Sequence, residues 1–108
     1  MTDPTQPPGA RPRSPELAGF RREIDAIDDQ IVDLLARRFG VARAVAAYKA
    51  PRGIPVVIAE RVEEVKARTR ARGEAQGIDP AFMTALYDLI VDATCALEER
   101  LIGAPPAP

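Results

Sequence analysis

The chain has 108 residues, enough for one domain and too few for two self-sufficient cores. Fifteen Lys plus Arg stand against sixteen Asp plus Glu, with no His, no Trp and a single Cys. Imidazole triads, CxxC redox chemistry, zinc sites and an intrachain disulfide all lack parts. The balanced charge speaks against a nucleic-acid module, and aromatics at 5% speak against a base-stacking platform. No metal or cofactor is expected.

Residues 1–15 are polar and rich in proline, without the apolar region of a secretory signal, and have the composition of a flexible tail, as do residues 103–108. No apolar run approaches the roughly 18 to 20 residues of a membrane span, so a soluble, cytoplasmic chain is the expectation. Between the tails, residues 16–102 form the expected domain. The prolines at 51, 55 and 80 divide this part into three windows, 16–50, 56–79 and 81–104. Ala, Leu, Glu and Arg dominate them, which predicts an all-α fold of one long and two shorter helices.

The first window places Leu17, Ile24, Ile31, Arg38 and Val45 at seven-residue intervals, with Phe20, Ile27, Leu34, Val41 and Tyr48 three positions after each. This heptad stripe predicts a long helix capped by Ser14, with Pro15 in its first turn and its end near Lys49 or Ala50. A rod of roughly 50 Å cannot be covered by two shorter helices of the same chain, so a second copy is expected. The second window carries Ile58, Val62, Val65 and Thr69 on one face and should stop around Gly73 to Gly77. The third opens with the cap pair Asp79-Pro80 and runs Met83, Leu86, Ile90, Ala93, Leu97, Leu101 before Gly103.

Arg38 occupies a seam position that is aliphatic at 17, 24, 31 and 45. An unpaired buried charge costs several kcal/mol, so its guanidinium needs a partner. A salt bridge to Asp33, Asp28 or a carboxylate of the second helix would serve, and so would an anionic ligand. The pattern leaves both open. Lys49 follows eleven residues later on a similar heading, about 16 Å along the helix, within leaning distance of a small dianion shared with Arg38. Arg21 lies roughly 25 Å before Arg38 on the same rod and could approach that dianion only from a second, antiparallel copy.

Phe20-Arg21-Arg22-Glu23-Ile24-Asp25-Ala26-Ile27-Asp28, Leu34-Leu35-Ala36-Arg37-Arg38 and Tyr48-Lys49 resemble the first helix of the all-helical chorismate mutases. The resemblance continues through Ile54-Pro55, Glu60-Arg61-Val62, and Ile78-Asp79-Pro80 with Leu86-Tyr87-Asp88-Leu89-Ile90, covering about residues 16–102. No one block is specific; their joint order and spacing are. The resemblance implies an intertwined three-helix homodimer with two sites that convert chorismate to prephenate without a cofactor.

Carried over by position, Arg21 would cross from the partner subunit to one substrate carboxylate and Arg38 would bind the other. Lys49 would hydrogen-bond the ether oxygen and a carboxylate, and Glu60 the ring hydroxyl. Thr94 takes the place of a small hydroxyl residue near a carboxylate, and Glu98 that of a glutamine that hydrogen-bonds the ether oxygen in many members. Glu98 can donate such a bond only when protonated, so activity is expected to decline as pH rises.

The loop between Lys49 and Glu60 is slightly short, and Val56 and Val57 stand where some mutases have an aspartate near the ring hydroxyl. That resembles the related isochorismate pyruvate lyases, and 4-amino-4-deoxychorismate mutases are a second neighbouring activity. A helical dimerisation module would explain the heptads and the tails, but not Arg38 in the seam together with Lys49 and Glu60. The charges at 63, 64, 68, 70, 72 and 74 read as a solvated helix surface, Cys95 as a small core residue, and Tyr48 as a packing group.

Overall fold

A computed structural model describes residues 14–103; the tails expected over 1–15 and 103–108 lie outside these residues except for Ser14, Pro15 and Gly103. The fold is all-α. Three helices follow one another: α1 (Pro15–Lys49), α2 (Ala59–Ala75) and α3 (Pro80–Ile102), with a single 3-10 turn, Ala50–Arg52, after α1.

The predicted punctuation sets the ends. The Ser14 hydroxyl accepts from the Leu17 backbone N–H at 2.9 Å, with Pro15 in the first helical position. Asp79 accepts from the Ala81 N–H at 3.0 Å, and Pro80 opens α3. At the end of α2, Ile78 N–H donates to the Gly73 carbonyl (2.9 Å) and Gly77 N–H to the Glu74 carbonyl (3.0 Å). This is a Schellman closure, and it needs the left-handed backbone that Gly77 supplies at φ 80°. The 3-10 turn closes alike: Ile54 N–H reaches the Lys49 carbonyl at 3.2 Å across Gly53, at φ 64°.

The chain divides into two compact units, Met1–Ala36 and Arg37–Pro108, the boundary falling within α1. In the first unit, Phe20, Ile24, Ile27, Ile31 and Leu34, members of the heptad stripe, are all more than half exposed. The second unit holds the rest of α1, the 3-10 turn, α2 and α3. There α2 and α3 pack as an antiparallel pair, since contacts step back along α2 as they advance along α3: Gly73 against Met83, then Lys66 Nζ to Asp88 at 2.8 Å. A Cβ on Gly73 would lie 2.5 Å from Met83 Cγ, so glycine is what permits this approach.

Among the described residues the buried apolar ones are Ala42, Ala46 and Val91, and no large side chain is fully buried. The inward face of α1 in this unit is therefore one position away from the expected one: Val41 and Tyr48 are exposed, whereas Ala42 and Ala46 are buried. Small side chains there accept a close neighbour.

The expectation that no segment could cross a membrane needs correction. By length and composition α3 would suffice, with a mean hydropathy of 1.3 over its most apolar stretch. Its packing against α2 and its polar links to α1, described next, are those of a helix within a bundle.

Candidate active site

Arg38 and Lys49 sit on α1 eleven residues, or about 16 Å, apart. Their partners on α3 are Thr94 and Glu98, one turn or about 6 Å apart. The two long side chains therefore lean toward each other and deliver two cations to one turn of α3.

Arg38 Nη1 donates to Thr94 Oγ1 at 3.3 Å. The Thr94 hydroxyl in turn lies 3.0 Å from the Ile90 carbonyl and 3.0 Å from that of Val91, to which it can give its single proton. Among the described residues no carboxylate pairs with Arg38. The salt bridge to Asp33, Asp28 or the second helix is thus not the arrangement adopted. A half-buried guanidinium has five donors, of which one finds a protein acceptor here.

Lys49 Nζ donates to the Val56 carbonyl at 2.8 Å and lies 3.4 Å from Glu98 Oε1. Both side chains of that ion pair are about nine-tenths buried. Glu98 Oε1 is itself fully buried and accepts no hydrogen bond. Leaving a buried oxygen without a donor costs about 1–3 kcal/mol, which a proton on the carboxyl or a bound hydrogen-bond donor would relieve. With Nζ and Oε1 only 3.4 Å apart, one oxygen atom can sit at hydrogen-bond distance from both.

The structure thus joins four of the predicted residues, Arg38, Lys49, Thr94 and Glu98, through contacts within one unit. The other two are exposed. Glu60 is exposed in the first turn of α2, where its charge suits the helix N-terminus, and it has no side-chain partner among the described residues. Arg21 is exposed in the first unit.

The Val56 carbonyl was not foreseen. A main-chain acceptor has no residue-type signature, and the shortness of the 50–58 connection was its one sequence signal. Cys95 is half-buried, and burial, followed by the neighbouring Glu98 carboxylate, pushes its thiol pKa up, away from nucleophilic use. Tyr48 is exposed and carries the Arg52 guanidinium 3.8 Å above its ring.

Comparison with known proteins agrees with this chemistry. Over residues 20–99 the chain matches the family chorismate mutase type II. It is 32% identical to a 4-amino-4-deoxychorismate mutase of Streptomyces pristinaespiralis, across 97% of this chain and 83% of that protein. With a 4-amino-4-deoxychorismate mutase of Streptomyces venezuelae it shares 34% identity over 82% of this chain and 85% of the relative. With a chorismate mutase of Methanocaldococcus jannaschii it shares 29% over 81% and 88%. With most of the chain and all three helices so matched, this chain belongs to the chorismate mutase type II family.

Proposed function

We propose that the chain catalyses the [3,3] rearrangement of chorismate to prephenate. The observation that carries this reading is the convergence of Arg38 and Lys49 on Thr94 and Glu98, with Arg38 free of any carboxylate partner among the described residues. The reaction breaks a C–O bond as it makes a C–C bond within one molecule, and needs no nucleophile, metal or cofactor. It requires the compact chair-like conformer and stabilisation of charge growing on the ether oxygen.

Arg38 binds one carboxylate, while Thr94 fixes the direction of its guanidinium. Lys49 and a protonated Glu98 both donate to the ether oxygen, in keeping with their 3.4 Å separation. Glu60 meets the ring substituent. Preorganised donors of this kind are each worth about 10²–10³ in rate.

Charge counting supports a third cation. Arg38 and Lys49 supply two positive charges, whereas Glu60 and the dianionic substrate together carry three negative ones. Arg21 from a second copy restores the balance. A homodimer also accounts for the exposed stripe at Phe20, Ile24, Ile27, Ile31 and Leu34 and for the lack of a fully buried large side chain among the described residues. Burying such a side chain contributes roughly 1.5–3 kcal/mol.

A second reading is favoured by the two Streptomyces relatives: 4-amino-4-deoxychorismate as substrate, its ring amine facing the acceptors Glu60 and the Val56 carbonyl. The test offers both compounds, and isochorismate as a third, to the purified protein, follows ring-diene absorbance and identifies products. The proposal expects prephenate, with the higher kcat/KM for chorismate. A higher kcat/KM for the amino compound selects the second reading. Salicylate and pyruvate from isochorismate, or no turnover of any of the three, rejects both.

A further inference from the structure

The end of α1 is tied to the connection that follows it by contacts that the chemistry above does not use. Arg52 Nη1 donates to the Tyr48 carbonyl at 2.7 Å, and its guanidinium lies 3.8 Å above the Tyr48 ring. The Tyr48 carbonyl belongs to the last turn of α1, where helical partners run out, so a cationic donor is favoured twice over, by the hydrogen bond and by the helix dipole. Stacking on the ring adds a second, differently directed restraint to the same side chain. Together with the left-handed Gly53 closure, these contacts fix the path of the chain from Lys49 to Ile54. Two residues later that path delivers the Val56 carbonyl to Lys49 Nζ at 2.8 Å.

An ammonium has three N–H donors. Val56 takes one, while Glu98 Oε1, 3.4 Å from the nitrogen, accepts none. The three N–H bonds keep fixed angles about the Cε–Nζ axis, so the Val56 bond sets the directions of the other two. We infer that Arg52 is a positioning residue: by clamping the turn onto Tyr48 it seats the Val56 carbonyl, which aims a remaining N–H of Lys49 at the reacting ether oxygen. Arg52 acts entirely through Val56 and does not touch substrate. The identity of the oxygen rests on the rearrangement proposed above; the seating of Lys49 does not.

The test compares the parent protein with Arg52→Ala and Arg52→Lys. Arg52 is exposed, so both variants should keep the parent's circular dichroism and oligomeric state. In Arg52→Ala, kcat is expected to fall about tenfold, the loss from misdirecting one preorganised donor short of removing it, while KM stays within about twofold because Arg38 still holds a carboxylate. Arg52→Lys, which keeps a donor and loses the planar stack, should recover part of kcat. Nitrogen-detected NMR of the Lys49 ammonium provides an arm that needs no turnover. Its proton exchange is slow in the parent, where the Val56 bond is made, and accelerates in Arg52→Ala. Unchanged exchange together with unchanged kcat, or a rise in KM alone, overturns the positioning role. A parent without rearrangement activity overturns the proposed function and leaves the exchange measurement to judge Arg52.

Discussion

A guanidinium held half-buried with a hydroxyl as its protein partner brings the chain little stability, because the cost of desolvation is not repaid by a counter-charge. Arg38→Leu therefore separates two properties. Chorismate turnover should fall by about 10²–10³ or more, while the thermal midpoint stays level or rises. A fall in both would make Arg38 a structural cation. Glu98→Gln keeps a donor at the same place and should retain turnover within about tenfold of the parent, whereas Glu98→Ala, which removes the group, should lose about 10²–10³. Arg38 and Lys49 were legible in the sequence because helical spacing converts residue number into direction, whereas Thr94 and Glu98 were legible only through the resemblance to the all-helical chorismate mutases. The Val56 carbonyl was not, since main-chain acceptors are set by the path of the chain and not by residue type.

At the scale of the elements, the helix limits were legible where a cap or a forced left-handed residue fixes them: Ser14 with Pro15, Asp79 with Pro80, and the glycines 53 and 77. The face that α1 turns inward was less so. Heptad counting favours the large Val41 and Tyr48, yet the chain buries Ala42 and Ala46. The seam of large residues then remains exposed for another surface. A similar close approach governs the α2–α3 pair. Gly73→Ala would set a methyl 2.5 Å from Met83 Cγ and 2.8 Å from Sδ. Overpacking of this kind costs about 1–3 kcal/mol, and in a domain of this size each kcal/mol lowers the melting midpoint by about 4–8 °C. Shortening Met83 in the same protein should return most of the loss; a Gly73→Ala variant that melts with the parent would show that the helices separate freely.

For the whole molecule, a chain with Ala42, Ala46 and Val91 as its buried apolar residues, and a run of large apolar side chains exposed along α1, is short of a core by itself. In the proposed homodimer a second copy would supply the missing surface and, in the same contact, the third cation that a dianion requires. Neither Arg21→Ala nor Arg38→Ala alone should turn over chorismate at more than a small fraction of the parent rate. Each defect lies in a different part of the shared site, so subunits exchanged between the two variants can build one intact site per mixed dimer. Unfolding the two variants together, refolding them and assaying the mixture measures this directly. Recovery of about a quarter of parental activity, as random pairing of two subunit types gives, is the predicted result. A mixture no more active than its separate components, although mixed dimers have formed, would contradict a site assembled from two chains.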